Sequence, residues 1–125
     1  MNMNNVYTIA RYLLGLAFVV FGLNGFFNFI PMEAPTGQAG EFLGALAATG
    51  YMFPMLKLTE VVAGLMLVTN RYTMLALVLL APIVVNVFAF HLFLDNAGLF
   101  LALVLLSMEV LLIYQNREKF CNLIC

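Results

Sequence analysis

Long hydrophobic runs separated by short polar breaks form the pattern of this chain. Four runs have the character of helices, with predicted bounds of about 7–29, 54–69, 73–94 and 99–114. A membrane-spanning helix needs roughly 20 predominantly apolar residues, and all four runs approach that length. The pattern therefore predicts an all-α fold, a four-transmembrane-helix bundle in which residues 1–125 form a single membrane domain.

The longest break lies between the first and second of these helices. Ile30–Gly37 contains two prolines and a glycine, and proline ends a helix because it has no N–H donor. Residues 38–49 then place apolar side chains at helical spacing, but about 12 residues are too few to span a bilayer. We expect a short interfacial helix there, either a lid over the bundle or a simple connector. Tight turns at Asn70–Tyr72 and Asp95–Gly98 separate the remaining helices.

Composition strengthens the membrane assignment. Hydrophobic residues make up 65% of the chain, charged residues 9%, and the mean hydropathy is +1.06. Soluble domains have about 45–50% apolar and about 25% charged residues. The chain is therefore predicted to be an integral membrane protein whose main partner is the lipid bilayer. The net charge is −1 and the charges are scattered, so the sequence contains no basic face for nucleic acid.

Charge also predicts the orientation. If the four helices alternate in direction, one end of the bundle carries Arg11, Arg71, Arg117 and Lys119, and the other carries Glu33, Glu41 and Asp95. Positive residues favour the cytoplasmic side. We therefore expect both termini in the cytoplasm and the protein in a bacterial cytoplasmic (inner) membrane.

The candidate site centres on Lys57 and Glu60, two charged residues within a predicted span. Burying a charge at membrane depth costs at least ~2.5–3.5 kcal/mol per residue, so such residues are candidates for function. At 1.5 Å per residue, the candidate polar side chains fall within about 12 Å of the outer helix ends. Glu60 is the candidate for proton exchange. The candidate ligand-binding residues are Asn24, Asn28, Lys57, Asn86 and His91.

Each of these residues also has a structural interpretation. Lys57 and Glu60 are three positions apart on a helix and could pair only with each other. Asn24 and Asn86 could join helices through hydrogen bonds. His91 precedes Asp95 by four residues, which favours a local contact at the rim of the bundle.

A second charged pair is expected in the cytoplasmic half. Arg11 lies about one turn inside the first helix, and Glu109 lies at a similar distance from the end of the fourth. We predict a structural ion pair between them, because each would otherwise be an unpaired buried charge. No metal site is predicted, and a single histidine cannot ligate haem from both sides.

Three segments carry a family resemblance. Arg11–Phe18, Phe21–Phe26 and Glu60–Leu67, with Asn70 and Arg71 closing the second helix, resemble the DoxX family of small four-helix membrane proteins. The resemblance extends from Arg11 to Tyr114. It implies a subunit related to the membrane component of thiosulfate:quinone oxidoreductase or to other redox and stress complexes. Many members have a lysine near the outer end of the first helix, where this chain has Gly25–Asn28.

Two functional hypotheses follow. In the first, the outer polar site binds a quinone or a similar redox headgroup: Asn24, Asn86 and Lys57 donate hydrogen bonds and Glu60 exchanges a proton. The protein would then be an accessory subunit that needs a redox partner subunit to supply electrons. In the second, the bundle is a non-catalytic membrane scaffold or a small-molecule binding and transport protein. Three glycines lie close to one face of the first helix, which we expect to pack against a neighbouring helix: Gly15, Gly22 and Gly25. Such glycine faces permit either a homo-oligomer or packing within one bundle.

Overall fold

The computed structural model describes residues 2–31 and 35–124, and these residues form helices without any strand. The all-α prediction is confirmed. The six helices are α1 Met3–Phe27, α2 Gly37–Ala48, α3 Met52–Thr69, α4 Thr73–Phe93, α5 Leu99–Gln115 and α6 Arg117–Ile124, with a 3₁₀ turn at Asn96–Gly98 before α5.

The helix ends differ from the predicted ones for local reasons. The first helix begins at Met3 because the side chain of Asn2 accepts a hydrogen bond from the Asn5 N–H. It ends at Phe27 because Asn28 adopts a left-handed conformation with φ of 52°. Such a residue closes a helix, and asparagine tolerates that backbone better than most residues. The segment after Gln115 was not predicted to be helical, and it forms α6.

The four long helices form a closed ring. α1 packs mainly on α3, α4 packs between α3 and α5, and α5 returns to contact α1. Eleven apolar residues form the buried core between these helices: Ala10, Leu14, Phe18, Ala63, Leu67, Ala76, Leu77, Leu80, Val84, Leu105 and Leu112. α2 contacts the ring chiefly through α3.

The outer surface of this ring is apolar. Phe27, Phe93 and Phe100 are each more than 70% exposed, and aliphatic side chains are exposed along all four long helices. Within the described residues, these four helices are long and apolar enough to cross a membrane. Lipid is the solvent that such a surface requires, so the chain has the character of an integral membrane protein.

Glycines allow α1 and α3 to approach closely. A Cβ atom added to Gly64 would lie 2.7 Å from the carbonyl oxygen of Gly15, and one added to Gly22 would lie 2.9 Å from that of Lys57. This antiparallel α1–α3 seam confirms that the glycine face of the first helix packs against a neighbour. Small residues serve this purpose in membranes because they let two backbones come into contact.

The bundle has two ends, which we name for reference. The distal end carries residues 28–31, 49–51 and 94–98, and the proximal end carries Asn2, the turn at Asn70–Tyr72 and α6. Asn70 closes α3 in a left-handed conformation with φ of 55°, and the Arg71 N–H donates to the Met66 carbonyl. This turn reverses the chain sharply into α4.

Candidate functional site

Two cavities open in the distal half of the bundle. The central cavity has a volume of about 740 Å³ and lies between α1, α3, α4 and α5. The side cavity has a volume of about 390 Å³ and lies between α2, α3 and α4. Ligand pockets for small molecules usually have volumes of about 300–1,000 Å³, so either cavity has sufficient volume for a small molecule. Four residues line both cavities: Lys57, Glu60, Val87 and His91.

The two cavities together collect every candidate residue of the predicted outer site. Asn24 and Asn28 line the central cavity, and Asn86 lines the side cavity. Lys57, Glu60 and His91 complete the set by lining both. Side chains from three helices therefore meet in one region, although they do not share one cavity.

Lys57 and Glu60 form the wall between the cavities. Lys57 Nζ lies 3.3 Å from Glu60 Oε2, and the two side chains are 24% and 6% exposed. The contact is an ion pair without hydrogen-bond alignment, since Glu60 Oε2 has no hydrogen-bond partner among the described residues. A carboxylate in this position retains the capacity to accept a hydrogen bond from a ligand.

Gly25 on α1 makes room for the lysine. A Cβ atom at this position would overlap the methylene groups of Lys57, with Cε only 2.9 Å away. The side chain of Lys57 therefore crosses the surface of α1 at Gly25 and returns to Glu60 on its own helix. Sequence reasoning assigned Gly25 to helix packing in general and did not identify this contact.

Asn24 has both a structural and a binding capacity. Its Oδ1 accepts a hydrogen bond of 2.7 Å from the Ile30 N–H, which ties the chain after α1 back onto the helix. Its amide nitrogen makes no hydrogen bond within the described residues, and Asn24 lines the central cavity. The free N–H groups are therefore available as donors. Asn28 is exposed at the end of α1.

Asn86 hydrogen-bonds within its own helix. Its Nδ2 donates to the Pro82 carbonyl over 3.1 Å. The alternative in which Asn86 joins two helices through its amide nitrogen is thus not observed. Its amide oxygen and second N–H remain for the side cavity, which Asn86 lines.

His91 contacts Asp95, as the spacing of four residues predicted, but through the backbone. The Nδ1 atom lies 3.0 Å from the Asp95 carbonyl oxygen, so Nδ1 carries the proton when this hydrogen bond forms. Gly98 provides space for the ring, because a Cβ atom there would overlap His91. The Nε2 atom has no partner among the described residues, and the ring lines both cavities.

An aromatic chain links α2 to this histidine. The ring centroids of Phe42 and Phe90 are 5.8 Å apart, and those of Phe90 and His91 are 5.1 Å apart in an edge-to-face arrangement. Phe42, Leu43 and Leu46 of α2 line the side cavity. The short helix therefore forms one wall of the side cavity. This position is compatible with both predicted roles, a lid and a simple connector.

The predicted ion pair between Arg11 and Glu109 is wrong. Arg11 Nη1 instead donates to the carbonyl oxygens of Leu67 and Val68. The last carbonyls of a helix have no partner within it and carry a partial negative charge, so the end of α3 attracts this guanidinium. Glu109 is 2% exposed, and neither carboxyl oxygen has a hydrogen-bond partner among the described residues.

Comparisons with known proteins do not extend this description. No protein-family model matches the chain, and searches of curated proteins and of solved structures return no match. The site's chemistry therefore rests on its own residues. Within residues 2–31 and 35–124, no three His, Cys, Asp or Glu side chains converge as metal ligands would. The distal half instead offers one cation, one carboxyl group, three amides and an imidazole beside apolar walls.

Proposed function

We propose that this protein binds a quinone or a similar redox headgroup in the distal cavities, as an accessory membrane subunit of the DoxX type. The observation that carries the proposal is that Lys57 and Glu60 line two cavities at once, with amide groups on either side. A polar headgroup on an apolar tail matches a site that combines a few polar groups with apolar walls.

The residues fit a carbonyl-bearing ring. Lys57 and the free amide nitrogen of Asn24 are donors that face the central cavity, and a ring carbonyl needs such donors. The side cavity is lined mainly by apolar residues such as Phe42, Leu46 and Phe53, which suit an isoprenoid tail. Both cavities meet at Glu60.

A bound quinone would supply redox chemistry by accepting electrons from a partner subunit, together with protons. Lys57 and Asn24 would orient the headgroup by donating hydrogen bonds, and Glu60 would hold and pass a proton at its carboxyl group. The apolar walls around Glu60 would exclude water from the exchange. The chain needs a partner for electron supply, which makes the proposed role that of a subunit.

The test is mass spectrometry of an organic extract from protein in native-lipid nanodiscs. Wild type is expected to retain quinone enriched over bulk lipid, and Glu60→Gln is expected to retain about tenfold less, which corresponds to ~1.4 kcal/mol. Glu109→Gln is the matched control, since Glu109 is also a buried glutamate but lines neither cavity. Both variants are compared with wild type by size-exclusion chromatography and melting temperature.

A larger side chain at Val87 tests whether quinone binding needs the space of the cavities, because it changes no charge. Val87 lines both cavities, so Val87→Phe should narrow them and lower quinone retention while it leaves the Lys57–Glu60 pair in place. Equal quinone content in wild type, Glu60→Gln and Val87→Phe would overturn the proposal. Copurification of a subunit with flavin, haem or iron–sulfur absorption would support the accessory role.

The second candidate function is a membrane scaffold or small-molecule transporter. The amides of Asn24 and Asn86 both bond to nearby backbone groups, which favours a structural role for part of the polar set. A scaffold predicts no enriched quinone and a lower melting temperature for Glu60→Gln. A transporter predicts substrate flux into liposomes without a redox partner.

A further inference from the structure

A third cavity lies at the opposite end of the molecule. It has a volume of about 480 Å³ and is lined by α1, the Asn70–Tyr72 turn, the first turn of α4, the end of α5 and the start of α6. The residues that line it are mostly polar, and they include Arg11 and Lys119 but neither Asp nor Glu. No residue of the distal site takes part in it.

Neither cation forms an ion pair within the part of the chain that the structure describes. Arg11 donates from Nη1 to the end of α3, and its guanidinium also stacks on the Tyr12 ring, 4.5 Å from the ring centroid. Its remaining N–H groups make no hydrogen bond with a described residue. Lys119 makes no ion pair with a described residue. Like charges that face one concave site repel each other and concentrate a field that attracts an anion.

Neutral donors add to this field. Tyr7 and Tyr72 contribute hydroxyl groups, while the hydroxyl protons of Thr8 and Thr73 are already donated to Asn4 and Asn70. The first turn of α4 also begins at this cavity, and no side chain caps it. Backbone N–H groups at a helix start carry partial positive charge and are donors for anionic oxygens.

We propose that this proximal cavity binds a phosphate group, and that its source is an anionic phospholipid of the adjoining leaflet. A phosphate offers several strong acceptor oxygens, which match arginine, lysine and hydroxyl donors arranged around one space. The apolar outer faces of α1 and α4 begin beside the cavity, so acyl chains can continue along them. Basic pockets between membrane helices commonly bind lipid headgroups. This inference is independent of the proposed quinone site.

The test compares lipid retention by native mass spectrometry after exchange into mixed micelles of phosphatidylglycerol and phosphatidylcholine. Wild type is expected to retain phosphatidylglycerol in preference to phosphatidylcholine. Lys119→Gln should lower that preference about threefold to tenfold. Arg117→Gln is the matched control, because it removes the same charge from the same helix. Arg117 stacks on Tyr114, bonds to the Tyr114 carbonyl and does not line the cavity, so its replacement should leave the preference unchanged.

Two further arms distinguish the outcomes. Lys119→Arg preserves the charge and is expected to preserve the preference. Inorganic phosphate added to the protein in lipid-free detergent tests whether the ligand is a soluble phosphate. If phosphate stabilises the wild-type protein but not Lys119→Gln, and the protein shows no lipid preference, the cavity is a phosphate site. The lipid assignment would then be overturned. If Lys119→Gln and Arg117→Gln lower the phosphatidylglycerol preference equally, the basic end attracts anionic lipid without a specific site. That result would overturn the assignment of the lipid to this cavity. No preference and no phosphate effect in wild type would overturn the whole proposal.

Discussion

The two faces of α3 pack in opposite ways. Toward α1, Gly64 contacts the backbone at Gly15, and nothing larger than hydrogen fits between them. Toward α4, the distal part of the same helix leaves the side cavity of about 390 Å³ beside Glu60. Backbone contact at the glycines therefore closes the interface of α3 with α1, while larger side chains between α3 and α4 leave space beside Glu60.

The largest expected effect on stability is at the interface of α3 with α1. Gly64→Val would place side-chain carbon against the Gly15 carbonyl and the Val19 N–H, both backbone atoms that cannot move aside. We expect a loss of about 3 kcal/mol in the free energy of unfolding, since overpacking a tight interface costs that much. Denaturant-induced unfolding in detergent measures it. Gly44→Ala is the control, because a Cβ atom at that position has no neighbouring atom within 4 Å. An equal loss of stability in this control would show that close contact with α1 is not the cause.

A smaller effect on stability is expected at Lys57, beside the distal cavities. Lys57→Met keeps much of the apolar stem over Gly25 but removes the cation, which leaves Glu60 buried without a partner. The expected destabilisation is about 1–3 kcal/mol, the cost of an unsatisfied buried polar group. Adding Glu60→Gln to this variant should recover part of the loss, as measured by a double-mutant cycle. Strictly additive losses would contradict the pairing.

The smallest effect concerns the other buried glutamate and has the opposite sign. Glu109→Met replaces a carboxyl group that has no hydrogen-bond partner with an apolar group of similar length. We expect the free energy of unfolding to rise by about 1 kcal/mol, because the desolvation cost of the carboxyl group disappears. A melting-temperature increase in detergent would show it. A decrease would mean that Glu109 is bonded to something in the membrane-embedded protein, which would weaken its contrast with Glu60.

Much of the fold follows from local sequence. The four long runs predicted the helices that became α1, α3, α4 and α5, and residues 38–49 predicted α2. The main errors lie at chain ends: α1 gained a turn from capping by Asn2, and α6 forms in a segment of mixed polarity. The location of α2 at a membrane interface and the orientation of the bundle stay predictions.

The candidate site shows a similar division. Counting residues along each helix grouped Asn24, Lys57, Glu60 and His91, and these four residues line the central cavity. Their depth in the membrane stays a prediction. Counting could not show that Asn86 faces a different cavity or that Asn24 closes the chain at Ile30. The Arg11 prediction failed because matched depth does not select a partner. The end of α3 was nearer to the guanidinium than Glu109 was.

The sequence by itself determined the class of protein and the number of long helices, and it grouped the polar residues that line the central cavity. These properties depend on hydrophobicity and length, which are sums over neighbouring residues. Only the tertiary structure decided the α1–α3 seam, the two distal cavities on either side of Lys57 and Glu60, and the basic proximal cavity. Those features depend on how each helix is rotated about its axis and on which residues meet across it. Contacts between residues far apart in the chain decide that rotation.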